Sequence, residues 1–270
     1  MKLIPEQPFW QQKNGRKRRS EKNANQKSTK GPSVIVKEKD EPVRTSVAIS
    51  VHSTTPAVFH APPALLPKAH WKAAEDDFSP SWEVRSKFVK DFCWFIPTLE
   101  TVSVLAELLK GKKVVEPASG TGFLAAHLRL LGVTDYTAID MFSSQYWETS
   151  TPNYGSIVGN ALDYIRPEYD AVVLCWPPYA QPFGAEVVKR MVSGQVLILQ
   201  GESWGGCTGD DDLFHILGSR FERVEEMEDM LNEHHVRFYG INDYWEVHRC
   251  VTTTAEAVRL HGMLSNEESK

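Results

Sequence analysis

Val114-Val115-Glu116-Pro117-Ala118-Ser119-Gly120-Thr121-Gly122-Phe123-Leu124 is the stretch from which the rest of the chain can be read. Val114 and Val115 are β-branched and apolar, as a strand buried on both faces requires. An acid, Glu116, stands at the strand's end. Gly120 and Gly122 permit backbone angles and a close approach that a side chain would block. From Thr121 onward Phe123, Leu124, His127, Leu128 and Leu131 recur at three- and four-residue steps, a helical period that Gly132 ends. Strand, glycine turn and helix in that order build a nucleoside-sized site at the carboxyl end of a parallel sheet.

Two kinds of site share this layout. Gly120-x-Gly122-x-x-Ala125 fits the dinucleotide fingerprint, and Asp140 follows 18 residues after Gly122. That match taken alone is weak. Glu116 argues against it, because a carboxylate beside a pyrophosphate repels it, whereas a carboxylate suits a cationic group such as an α-ammonium. Trp176-Pro177-Pro178-Tyr179, after a later apolar run, has no evident role in hydride transfer.

With these residues in place the chain resembles the class I S-adenosylmethionine-dependent methyltransferases, over roughly residues 112–252. Glu116-Pro117-Ala118-Ser119-Gly120-Thr121-Gly122 looks like the glycine loop of the amino-group, adenine-modifying branch. The resemblance implies S-adenosyl-L-methionine as cofactor. It implies that Glu116, Ala118, Gly120 and Gly122 lie along that cofactor, that Asp140 holds the ribose hydroxyls, and that Asn160, with Ala161 beside it, meets the adenine ring. It further implies that the Pro-Pro-aromatic loop receives the methyl acceptor. In the amino-methylating enzymes Asn or Asp precedes the two prolines, and its oxygen accepts a hydrogen of the acceptor amine. Here that position is Trp176, whose indole only donates. Three options follow: a different acceptor, another acid in the missing role, or a domain without catalysis. Glu202, in the glycine-rich loop Gln200–Asp212, is the candidate replacement acid.

Charge is split along the chain. Residues 1–44 hold twelve Lys and Arg against five Asp and Glu, while 45–270 hold 18 against 30. Gly15-Arg16-Lys17-Arg18-Arg19 is a basic cluster in a run without periodicity, and Pro56–Pro67 is proline-rich. The expectation is a disordered basic and proline-rich arm over 1–75, meeting nucleic acid or an import receptor. Cys93, Cys175, Cys207 and Cys250 form no C-x-x-C, which argues against a disulfide scaffold and for a reducing compartment. No apolar run reaches membrane-spanning length, so the expectation is an intracellular protein, cytoplasmic or nuclear, without a membrane partner.

Ser81 and Thr98 read as caps of two helices in a segment, 76–111, that packs on the core. Asp135–Asp140 reads as a second strand; Met141 and Phe142 after it either stack on adenine or fill core. Ser156–Ala161 reads as a third strand and its exit, with Asn160 either an adenine contact or a turn asparagine. Tyr169–Trp176 is a fourth, continuous apolar strand and Gln195–Leu199 a fifth. Phe221–Met230 and Tyr244–Val251 read as the last two strands. His234-His235 reads as a surface pair, since no recognised metal spacing surrounds it. Residues 253–270 read as a short helix and tail.

The expected architecture is α/β: a three-layer Rossmann-like domain over 112–252 with a mostly parallel seven-stranded sheet. The expected function is methyl transfer, to a nitrogen of a base, a protein side chain or a small molecule. A methyltransferase-fold binding or scaffold protein is the alternative, and a nicotinamide oxidoreductase is the reading that Glu116 and Pro177-Pro178-Tyr179 disfavour.

Overall fold

The computed structural model describes residues 59–76, 78–142 and 151–252. The readings made for 1–58 and 253–270 lie outside the described residues. Among the described residues no helix is long and apolar enough to cross a membrane.

The strands are β1 (Val114–Pro117), β2 (Tyr136–Asp140), β3 (Ile157–Val158), β4 (Ala171–Cys175), β5 (Val196–Glu202), β6 (Phe221–Arg223) and β7 (Asp243–Cys250). They form one sheet in the order β3-β2-β1-β4-β5-β7-β6. Neighbours from β3 through β5 are parallel, and β7 runs antiparallel to both β5 and β6. The expected α/β sheet is therefore present, mostly parallel and seven-stranded. The central runs Val114-Val115 and Ala171–Leu174 are buried throughout, which is why they are apolar without alternation.

The helices are α1 (Lys72–Asp76), α2 (Phe78–Asp91), α3 (Leu99–Leu108), α4 (Phe123–Leu130), α5 (Phe183–Arg190), α6 (Asp211–Arg220) and α7 (Glu225–His234). Leu105 of α3, Phe123, Leu124 and Leu128 of α4 and Leu231 of α7 share one core cluster with Val114, Val173, Ile198 and Trp245. Val187 and Val188 of α5 and Leu213 and Leu217 of α6 share the other with Val115, Val172, Leu197 and Leu199. Adjacent strand residues alternate between the clusters, as pleating demands, so helices cover both faces. Phe88 and Phe92, from α2 and the turn after it, pack on the first cluster and bring the segment before the sheet over that face.

Winding fixes where a ligand can sit. The chain lays down β1, β2 and β3 toward one edge, then crosses back to β4 beside β1 and proceeds to β5. Between β1 and β4 the strand order reverses, and in open α/β sheets the crevice that takes a ligand lies at such a point, outside the carboxyl ends of the strands.

Local readings differ from the structure at five places. Lys68–Trp71 form a 3-10 turn that leads into α1, and Trp71 is buried, although composition placed these residues in the arm. Ser81 lies inside α2 and is buried, since the helix starts at Phe78 and Pro80 falls in the first turn, where a missing N–H costs nothing. Only Ile157–Val158 of the third expected strand pair in the sheet. The strand expected over Phe221–Met230 stops at Arg223, and Glu225–His234 is helical. Glu225, Glu226 and Glu228 favour a helix N-terminus, and Val224, Met227 and Leu231 recur at helical steps. His235 is no surface residue: it is 8% exposed and hydrogen-bonded to Asp243. Thr98, by contrast, caps α3 as expected, accepting from the Thr101 N–H at 3.0 Å.

Candidate functional site

The loop leaving β1 turns through left-handed backbone at alternate residues: φ is +56° at Ala118, +56° at Gly120 and +75° at Gly122. Ala118 adopts the conformation glycine prefers, so the loop's path is imposed by its surroundings. The Ser119 N–H donates to the Ile139 carbonyl at 3.0 Å, and the Gly120 N–H donates to Asp140 Oδ2 at 2.9 Å. Gly122 is required by proximity as well as by φ, since a Cβ there would lie 2.6 Å from the Ser156 nitrogen.

Two acids flank this loop. Glu116 is 3% exposed and accepts the Tyr136 hydroxyl hydrogen at Oε2, 3.1 Å away. Burial pushes its carboxyl up to about 8, against the Tyr136 hydrogen bond and the Arg129 charge. At neutral pH it is mostly protonated, and an incoming cation would draw the proton off. Asp140, at the end of β2, is held at both oxygens: Oδ2 by Gly120 and Oδ1 by the Phe142 N–H at 2.7 Å. Burial raises its carboxyl and these two N–H groups oppose the rise. Each oxygen keeps a lone pair for a further donor. Met141 is 70% exposed beside it. Asn160 caps the short 3-10 turn Ala161–Tyr164 by accepting from the Leu162 N–H, the turn role weighed for it. The Ala161 side chain is buried in the second core cluster.

Across the crevice, Trp176 has φ +48°, and its N–H donates to the Gln200 carbonyl at 2.7 Å. Its indole ring lies under the Arg85 guanidinium, 4.8 Å from ring centroid to Cζ. Pro177 is buried, and its carbonyl accepts from the Gly209 N–H at 2.9 Å, so it is engaged by the loop after β5. Pro178 and Tyr179 are half-buried. Glu202 spends both oxygens on backbone: Oε2 accepts from Cys207 N–H at 2.7 Å and Oε1 from Asn242 N–H at 3.0 Å. The expected replacement acid therefore fastens two loops.

Sequence reading missed four residues here: Arg85, Gln200, His235 and Asp243. Gln200 Nε2 donates to Asp243 Oδ2 at 2.8 Å, and His235 Nε2 lies 3.1 Å from Asp243 Oδ1. Burial acts to raise the Asp243 carboxyl, but His235, Gln200 and the Arg85 charge together hold it below the usual range. Gln200 carried a signal, a polar residue closing the buried run Val196-Leu197-Ile198-Leu199, while Arg85 and Asp243 carried none. Among the described residues no group of three His, Cys, Asp or Glu is placed to hold a metal ion.

No protein-family model matches this chain, and no curated protein matches it. Solved structures are similar at low levels. The magnesium protoporphyrin IX methyltransferase of Synechocystis, with bound SAM, is 17% identical over 57% of this chain and 76% of that one, with a TM-score of 0.35. Human N-acetylserotonin methyltransferase, in complex with SAM, is 14% identical over 57% and 52%, with a TM-score of 0.34. An rRNA methylase from Streptococcus thermophilus is 15% identical over 56% and 95%, with a TM-score of 0.34. Likenesses at this level carry no argument about what the chain does.

Proposed function

We propose that the protein binds S-adenosyl-L-methionine in the crevice between β1 and β4 and acts as a methyltransferase. One observation carries this reading: a buried carboxyl at the end of β1 and a second at the end of β2, joined by a left-handed loop that Asp140 itself holds. The spacing offers Glu116 to an ammonium group and the outward lone pairs of Asp140 to a pair of ribose hydroxyls. Ala118–Gly122 presents backbone, not side chain, along the line between them. A pyrophosphate would set two charges against Glu116, which disfavours a nicotinamide cofactor. When bound, the cofactor supplies an electrophilic methyl on a sulfonium. The chain's part is to aim a nucleophile at it in line and to exclude water.

Methylation at nitrogen is the finer form of this proposal. Of the acceptors considered, a planar base amine has the least support, because Trp176 offers no oxygen at the position that would accept from it. The excess of acids in residues 45–270 also disfavours a polyanion on the body itself. A small molecule fits better. The missing acceptor at Trp176 equally favours a second reading, a binding protein that keeps the fold without turnover. For residues 1–44 we propose a polyanion or an import receptor as partner, which retention of the full chain on heparin tests for the first.

The deciding experiment is calorimetric titration of the full chain with S-adenosylmethionine, S-adenosylhomocysteine and NAD. The expected result is binding of the first two, weakened at least about ten-fold in Asp140→Ala, the loss of one or two charge-assisted hydrogen bonds. NAD binding alone would overturn the reading, and silence from all three would favour the second one.

A further inference from the structure

At the acceptor end of the crevice two polar groups are enclosed without a partner, and a third, a buried cation, is only partly engaged. The Trp176 indole Nε1 and the Gln200 side-chain Oε1 are enclosed and have no hydrogen-bond partner. Gln200 is fully buried. The third is Arg85, 8% exposed, whose guanidinium makes one hydrogen bond, from Nη2 to the Trp94 carbonyl at 3.0 Å, and pairs with no carboxylate within ion-pair distance among the described residues. Each enclosed unpaired group costs on the order of 1–3 kcal/mol, and of those so enclosed among the described residues these two lie at the crevice, beside a buried guanidinium.

The three belong together. Trp176 follows β4 directly and its backbone N–H bonds to Gln200 in the neighbouring β5, while Arg85 lies over the Trp176 ring. Two of the groups donate and one accepts. Arg85 and the indole N–H suit an anionic oxygen pair, while Gln200 Oε1 suits an N–H or O–H. Surroundings limit the anion's charge. Asp243 and Glu202 are the carboxylates that act most strongly on Arg85, and Glu116 lies on the same face of the sheet. A dianion such as a phosphate monoester would meet all three. A single carboxylate meets less repulsion, and Asp243 and Glu202 each have a hydrogen-bond partner at both oxygens that offsets their charge. Size is limited too, because the buried Cys93 and Phe95 bring the turn after α2 down on this face.

We infer that Arg85, Trp176 and Gln200 form a pocket for a small carboxylate that also carries an N–H or O–H, the carboxylate on Arg85 and the indole, the hydrogen on Gln200. That this occupant is the methyl acceptor rests on the function proposed above; the anion pocket itself does not.

The test follows the indole N–H resonances of the full chain, ¹⁵N-labelled, with the Trp176 signal identified by its absence in Trp176→Phe. Benzoate and its neutral isostere benzamide are titrated with and without saturating S-adenosylhomocysteine. Benzoate should shift the Trp176 signal saturably in both states, and benzamide should need a concentration about ten-fold higher or more. Arg85→Met should weaken benzoate by a similar factor and leave S-adenosylhomocysteine affinity unchanged, with Arg85→Lys in between. Equal response to both probes, or a benzoate response unchanged in Arg85→Met, overturns the pocket. Loss of the benzoate response in the nucleoside-bound state also overturns it, since Arg85 would then serve the cofactor's own carboxylate. If S-adenosylhomocysteine fails to bind but benzoate still depends on Arg85, the pocket stands and the methyltransferase reading falls. Should Arg85→Met fail to fold, the benzoate–benzamide comparison in the wild-type chain decides alone.

Discussion

The two ends of the crevice are built by different means. On the β1–β2 side, residues within 25 positions of one another do the work: Glu116, the left-handed loop, and Asp140, whose carboxylate accepts from the backbone N–H groups of Gly120 and Phe142. On the β4–β5–β7 side the parts come from Arg85, Trp176, Gln200 and Asp243, and they meet through side chains. Their acids behave oppositely. Burial wins at Glu116, whose carboxyl is pushed up to about 8, while partners win at Asp243, whose carboxyl is held down. The first end holds a buried acid in wait for a positive charge; the second has already satisfied its acid and leaves a positive charge to spare.

The sharpest way to break this contrast is to add one methyl group at each end. In Gly122→Ala the Cβ would lie 2.6 Å from the Ser156 nitrogen, at φ +75°. Backbone must move, so the expected loss is about 3 kcal/mol or more, overpacking added to left-handed strain. Gly205, in the loop after β5, has φ +81° and nothing within 4 Å of a Cβ. Gly205→Ala should cost strain alone, on the order of 1 kcal/mol. Thermal unfolding of both variants measures the difference; equal losses would mean that the β1 loop is not held tighter than its counterpart.

The next effect belongs to Glu116→Gln and changes with pH. A carboxyl whose pKa is raised on folding, here from 4.5 to about 8, adds stability in its protonated form. That contribution is complete below 4.5 and disappears as pH climbs through about 8, where the buried charge must be borne. Glutamine does not titrate. The variant should match wild type near pH 4.5 and exceed it at pH 8 by on the order of 4 kcal/mol, counting 1.36 kcal/mol per pKa unit. It should also bind S-adenosylmethionine more weakly. Chemical unfolding at the two pH values checks the first statement, and a gap of constant size would remove Glu116 from the role of buried acid.

How much could be read in the sequence follows the same division. The glycine loop, Glu116 and Asp140 were legible because short-range chemistry writes them: a β-branched run, an acid, glycines at alternate positions, then a helical period. The mostly parallel sheet was legible because strands alternate with helices along the chain. Ser81, the strand expected over Phe221–Met230 and His235 were misread because tertiary contacts settled them. α2 begins at Phe78 because its first turn accepts Pro80, and Val224, Met227 and Leu231 make one helical stripe that a pattern of mixed acids hides. Arg85 was invisible as a site residue, since a lone arginine on an amphipathic helix has no neighbour in sequence that says what it will cover. Glu202 was legible as an acid at the right edge of the sheet, but its two backbone partners were not.

That last point sets the smallest effect and the one most specific to mechanism. Glu202→Gln leaves one oxygen and places an NH2 group against a backbone N–H, at Cys207 or at Asn242. Because the residue is half-buried and water can take the orphaned N–H, the expected loss is about 1 kcal/mol, at the low end for a hydrogen bond to a charged group. S-adenosylhomocysteine affinity should be unchanged. If Glu202 only fastens loops, methyl transfer with any acceptor found should fall less than about ten-fold, whereas removing a general base costs 10²–10⁴. A fall of that larger size with stability intact would return Glu202 to the chemistry and make the acceptor end an acid–base site. A small fall would leave Glu202 as a fastener of loops, and positioning by Arg85 and Trp176 would be that end's remaining contribution.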